Sequence, residues 1–162
     1  MPTLRREDGV TFALQPYRET LTIKNTSLLR KEIRYLAQTH GAYMRLFRLD
    51  NGEYEAIFSQ EAGYLLGETV LKHFEKQDNI IYCERLSKEE HQVILVIVRD
   101  GKVYLDAKLP LENVYDEISG LLSDKAARYQ VYLYGDLPVN FVSAGVKKIT
   151  PLKKIVICRI AC

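Results

Sequence analysis

One stretch constrains this chain more than any other: Val93-Ile94-Leu95-Val96-Ile97-Val98 is apolar without a break, and all but Leu95 are β-branched. Such residues favour extended backbone, and an apolar run with no alternation predicts a strand buried on both faces. A strand of that kind needs neighbours along its edges and cover above and below. Asp100-Gly101 follows between Arg99 and Lys102, turn chemistry that sends the chain back along Lys102 to Leu109. A β-hairpin from Gln92 to Leu109 is therefore the central element, and the rest of the chain must supply its partners.

The neighbouring segments carry readable signals. Val10 to Gln15 alternates apolar and polar residues and predicts a strand that ends before Pro16. Thr26 or Ser27 can cap a helix running through about Thr39, where Leu28, Leu29, Ile33, Leu36 and Ala37 recur at helical spacing and Gly41 supplies the stop. Ala42 to Leu49 and Glu53 to Ser59 read as paired strands across Asp50-Asn51-Gly52. Glu68 to Gln77 places Val70, Leu71 and Phe74 on one face of a short helix, and Ile80 to Glu84 reads as a strand. After Pro110, Leu111, Val114, Tyr115, Ile118, Leu121 and Leu122 trace a helical stripe. Arg128 to Tyr134 and Lys154 to Ala161 complete the expected strands. Helices and strands interleave, so the fold class is α/β, a mixed sheet with helices.

A length of 162 residues fits one domain, and no repeat period, low-complexity tract or long linker argues for a second. A net charge of +2 on 27% charged residues excludes a strongly basic nucleic-acid binder and leaves bulk charge uninformative about partners. Its distribution says more. No acidic residue follows Asp136, whereas Lys147, Lys148, Lys153, Lys154 and Arg159 do, making the C-terminal end a local basic patch. Cys83, Cys158 and Cys162 form an odd set without a C-x-x-C pair, which indicates neither a disulfide framework nor a zinc ribbon and fits a reducing compartment. No secretory h-region and no run of about 18 apolar residues is present, so the chain as given reads as cytosolic and unanchored.

Catalytic signals are sparse. Arg99-Asp100-Gly101-Lys102 could hold magnesium or a phosphate, but the same residues make an ordinary hairpin turn, and a phosphate cradle needs more glycines or hydroxyls and a following helix N-terminus. Gly63 and Gly67 bracket Tyr64-Leu65-Leu66 without a phosphate lysine and read as a turn into a helix. Asp100 and Asp106 share parity and could be paired carboxylates of a two-metal nuclease, although no third or fourth acid is placed beside them. His40, His73 and His91 have no zinc spacing, and no serine lies in a G-x-S-x-G elbow. No catalytic, cofactor or metal residue is assigned. Among eleven tyrosines, Tyr132 and Tyr134 share a strand face with Gln130, while Tyr129, Val131 and Leu133 form the better core face. Tyr132 and Tyr134 are thus the candidate protein-binding residues if partly exposed, with core packing as the alternative.

The order of elements now matters. A hydrophobic hairpin with an aspartate-glycine turn, then a helix, then a strand ending Tyr132-Leu133-Tyr134-Gly135-Asp136, resembles part of an actin-like (ribonuclease H-like) fold. Ile97 to Asp106, preceded by Gly41-Ala42-Tyr43 to Ile57 and by Ser59-Gln60-Glu61-Ala62-Gly63, is similar to the cytoplasmic domain of inner-membrane assembly proteins of type IVb pili, the bundle-forming pilus type. That domain resembles in turn the cytoplasmic domain of the type II secretion L component.

The resemblance implies a divergent actin-like domain acting as a non-catalytic adaptor. Its partners would be the N-terminal region of a hexameric pilus assembly ATPase and a polytopic inner-membrane platform protein, with no nucleic acid and no cofactor. It also implies a place on the cytoplasmic face of the bacterial inner membrane and a transmembrane helix beyond Cys162, for which the lysine-rich tail is suitable. The Asp100-Gly101 turn would occupy the position of a nucleotide loop, without the aspartate-x-glycine-hydroxyl pattern, and Tyr134-Gly135-Asp136 lacks the glycine pair of an adenosine loop. The alternative is a nucleotide-binding or metal-dependent nuclease enzyme of the same superfamily, with Asp100 holding the metal.

Overall fold

A computed structural model describes residues 3–5, 11–74, 77–85, 91–123, 126–134 and 148–149. The chain divides into two units, residues 1–65 and 66–157.

The second unit is organised by the expected hairpin. β7 (Ile80–Arg85), β8 (Gln92–Arg99) and β9 (Lys102–Pro110) form an antiparallel meander, and β10 (Gln130–Tyr134) and β11 (Lys148–Ile149) extend it on the β7 side in the order β11-β10-β7-β8-β9. β10 runs parallel to both β7 and β11. In order of appearance this is 5-4-1-2-3, with the second strand antiparallel to the first and the fourth and fifth parallel to it. That is the strand arrangement of the actin-like (ribonuclease H-like) fold, so the mixed α/β class expected from the sequence holds. β8 is buried from Val93 through Val98, as its unbroken apolar run requires.

Each face of this sheet has its own helix. Ile81, Cys83, Val93, Leu95, Ile97, Val131 and Leu133 project to one side and pack under Val114 and Ile118 of α3 (Leu111–Ser123). The opposite face carries α2 (Leu66–His73), whose Leu66, Thr69 and Val70 are buried. Gly67 makes that packing possible: a Cβ there would stand 2.5 Å from Val103 Cγ1. Only a residue with no side chain lets the first turn of the helix lie so close to β9.

The first unit holds two three-stranded sheets. β1 (Thr3–Arg5), β2 (Thr11–Ala13) and β6 (Tyr64–Leu65) form one, with β2 parallel to β6. In the other, β5 (Tyr54–Ser59) lies between β3 (Tyr17–Leu21) and β4 (Tyr43–Arg48), antiparallel to both. Alternation along β5 explains its position: Ala56 and Phe58 pack with Leu36 of α1 (Thr26–His40), while Ile57 packs with Ala13 and Leu65. The N-cap of α1 is Asn25, ahead of both expected caps, Thr26 and Ser27, and its Oδ1 accepts from the Ser27 and Leu28 N–H groups. At the other end Gly41, at φ 131°, passes the Ser59 backbone so closely that any Cβ would overlap it.

The expected hairpin at Asp50-Asn51-Gly52 forms, with Gly52 at φ 85° and the Asn51 side chain accepting from the Glu53 N–H. β1, β3, β6 and β11 stand where no strand was expected. The strand expected at Lys154 to Ala161 lies outside the described residues.

Candidate functional site

Polar side chains enter the second unit on the α2 face of its sheet. Along one row of paired positions lie Tyr132 of β10, Tyr82 of β7, Val96 of β8 and Asp106 of β9; along the next, Glu84 pairs with Ile94, and Ile94 with Lys108. Glu84 and Asp106 are buried, at 3% and 1% exposure, and so is Glu68 of α2. Buried carboxylates are costly unless satisfied. The Tyr82 hydroxyl donates to Glu84 Oε2 at 3.0 Å. Asp106 Oδ2 stands beside the start of α2, only 3.0 Å from where a Cβ on Gly67 would be. The positive end of a helix is a favourable neighbour for a carboxylate. None of Glu68, Thr69, Glu84 and Asp106 is without a partner.

These acids do not make one centre. Glu84 and Asp106 are two strands and two residues apart, which sets their Cα atoms about 12 Å from each other by strand spacing and rise. Two-metal sites need acids converging on ions about 4 Å apart. Among the described residues no three histidines, cysteines or acids are gathered to hold a metal.

The structure also separates Asp100 from Asp106, correcting the shared parity read from the sequence. A bulge at Ile97/Val98 pairs Ile97 with Leu105 and Val98 with Val103, so Tyr104 is an extra residue on β9 and the alternation resets there. Tyr104 is exposed, Asp106 turns into the α2 face, and Asp100 sits in the exposed turn.

That turn has its own chemistry. Asp100 at φ 51° and Gly101 at φ 77° form the two-residue, doubly left-handed turn that suits a twisted hairpin. Its N–H groups, the donors that would cradle a phosphate, are engaged: Asp100 N–H donates to Asn79 Oδ1 at 3.0 Å and Gly101 N–H to the Asp78 carbonyl at 2.8 Å. Asn79 completes the junction by donating from Nδ2 to the Ala127 carbonyl at 2.7 Å, while its own carbonyl accepts from the Gln130 N–H. The turn therefore lies where β7 and β10 begin. Ligands of open α/β sheets bind outside the carboxyl ends of the parallel strands. The expectation that Asp100-Gly101 occupies a nucleotide-loop position is corrected accordingly: the turn is at the amino end of those strands. The segments beyond the carboxyl ends, 86–90 and 135–147, lie outside the described residues.

Of the two readings left open for Tyr132, partial exposure and core packing, the second holds. The residue is 4% exposed, stacked on Phe74 at 3.9 Å between ring centroids and 12° between planes, and its hydroxyl donates to Gln77 Oε1 at 2.7 Å. The cause is its position: β10 is an interior strand, flanked by β11 and β7, and the residues after α2 cover its face. The side chain of Tyr134 lies outside the described residues. Tyr129, Val131 and Leu133 form core as expected.

The histidines are dispersed. His40 stacks on Tyr17 at 3.5 Å, His73 meets Phe74 edge-on, and the His91 carbonyl accepts from the Leu111 N–H. Burial pushes the Cys83 thiol up to about 12, with the charge of neighbouring Glu84 adding to the rise, so at neutral pH it is a protonated core residue with no nucleophilic character.

Asn79 and Glu84 were not singled out from the sequence, and Phe74 was named only as part of a helical apolar face. Glu84 alone left a signal, as an acid directly after the apolar Ile80-Ile81-Tyr82-Cys83.

No family model matches the chain, and no curated protein matches it. Solved structures do. The crystal structure of the cytoplasmic domain of BfpC is similar over 98% of this chain and 96% of that one, at TM-score 0.54 and 10% sequence identity. The chain has that domain's fold. A Bacteroides thetaiotaomicron protein with an actin-like ATPase fold and unknown function is similar at TM-score 0.42 and 11% identity, over 81% of this chain and 60% of that one.

Proposed function

We propose that this chain is a non-catalytic adaptor of type IV pilus assembly, which binds the N-terminal region of the cytoplasmic assembly ATPase and couples it to a polytopic inner-membrane platform protein. The carrying observation is the likeness to the BfpC cytoplasmic domain along nearly the whole of both chains, which agrees with the pilus-family resemblance of the sequence. Under this reading, the chain works at the cytoplasmic face of the bacterial inner membrane without nucleic acid or cofactor. Tyr134, at the end of β10, is the proposed docking residue, and Tyr132 holds that strand in place through Phe74 and Gln77.

Titration calorimetry against the N-terminal domain of the cognate assembly ATPase tests the proposal. Saturable binding is expected, weakened by Tyr134→Ala; no heat at micromolar concentrations of both proteins would sink it. A parallel titration with ATP and magnesium is expected to give no heat. Saturable binding heat would instead favour the nucleotide-binding alternative, and its loss in Asp100→Ala would return the site to that turn.

A further inference from the structure

Two helices of this chain present opposite charges to solvent. On α1, Leu28 and Tyr35 are 53% and 64% exposed, and the exposed residues around them include Arg30, Lys31 and Arg34, with Lys24 just ahead of the helix. Its one acid, Glu32, is half-buried. α3 has no basic residue, and its exposed positions include Glu112, Asn113, Asp116, Glu117 and Gly120. A Cβ on Gly120 would meet nothing within 4 Å, so the helix is flat and open at that point.

The spacings match as well as the charges. Leu28, Lys31 and Tyr35 stand three and then four residues apart, and so do Asn113, Asp116 and Gly120, which in each case places the three on one side of a helix. Laid side by side, Lys31 meets Asp116 while the Tyr35 ring covers the flat at Gly120. A helix bearing two large exposed apolar side chains within a basic rim calls for an acidic surface with a flat spot for a ring, and α3 is such a surface. We propose that the exposed face of α1 docks on the α3 face of a second copy of this chain.

The two faces differ, so each contact joins unlike surfaces, and each copy brings one of both to the association. One helix laid on another falls below the roughly 1,200 Å² of stable complexes, so the association is weak and concentration-dependent. It is also electrostatically steered and sensitive to salt.

Sedimentation velocity on the chain, over a concentration series, reads this directly. At low salt the average sedimentation coefficient is expected to rise with concentration, and at about 1 M salt, where the screening length is only ~3 Å, to return to that of a monomer. Lys31→Glu with Arg34→Glu, and separately Asp116→Lys with Glu117→Lys, are each expected to weaken association at least tenfold. An equimolar mixture of the two variants regains it, because each then offers the other a complementary face. A wild-type chain that stays monomeric at every concentration in low salt overturns the proposal, as does a mixture that does not recover. Loss of ATPase-domain binding by the α1 variant without any change in self-association would assign the face to that partner and likewise overturn it.

Discussion

At the scale of single residues, burial decides chemistry here more than residue type does. Cys83, Glu84 and Asp106 are all reactive or ionisable side chains, yet each is enclosed in a sheet whose β8 is apolar and buried from Val93 through Val98. The thiol shows the thermodynamic consequence. In the unfolded chain it ionises near its ordinary 9.0, whereas in the folded chain it stays protonated to about 12, so the unfolded state binds fewer protons across that window. The stabilisation is therefore whole below about pH 9 and is lost as pH rises toward 12, with a slope of up to about 1.4 kcal/mol per pH unit. Other groups titrate in the same range, so the informative quantity is the stability difference between wild type and Cys83→Ala, measured by urea unfolding from pH 8 to 11. That difference should shrink as pH rises; a constant offset would show that the thiol's ionisation is not coupled to folding. Mapping of alkylated peptides at pH 8 should also find Cys83 protected until the chain unfolds.

At the scale of elements, legibility followed apolar patterning. The six-residue run at Val93 and the turn after it were plain because a continuous β-branched segment has few alternatives to a buried strand. α1 and α3 were plain because their apolar residues recur at helical spacing. β3 was not: Tyr17-Arg18-Glu19-Thr20-Leu21 has three polar residues in a row, which an edge strand tolerates and which no periodicity marks. β6 is a two-residue strand, too short to carry a period. The bulge at Ile97/Val98 escaped because an inserted residue looks like any other until its partner strand is known, and it undoes the shared face that parity suggested for Asp100 and Asp106. Tyr132 was left open between exposure and core for the complementary reason, since alternation identifies the two faces of a strand without saying that Phe74 and Gln77 lie over one of them. Gly67 had been read as part of a turn, whereas its missing side chain is what brings α2 onto β9. Gly67→Ala is expected to lower stability by about 1–3 kcal/mol through overpacking against Val103. Gly120→Ala, in open space within a helix, should be neutral or slightly stabilising. Thermal unfolding of the pair checks this, and equal effects would mean that α2 can shift without loss.

At the scale of the whole molecule, a shared fold and a shared task are separate matters. The BfpC cytoplasmic domain supplies the fold, and the adaptor role stands or falls with the ATPase titration. One feature of that fold has a consequence in time. β7, β8 and β9 follow one another through short connections, but β10 pairs with β7 between residues fifty positions apart, Ile80 with Gln130. Distant pairings carry the larger loop-closure entropy and so tend to form late. Asn79 belongs to both stages, since it binds the β8–β9 turn 21 residues away and the Ala127 carbonyl 48 residues away. Asn79→Ala should destabilise the chain by about 2 kcal/mol. In stopped-flow urea kinetics most of that loss should appear as faster unfolding and the lesser part as slower folding. If folding slows by as much as unfolding quickens, β10 is already docked at the barrier. The side chain that closes the amino end of the sheet would then be a clock for its assembly: the meander first, the crossover strand last.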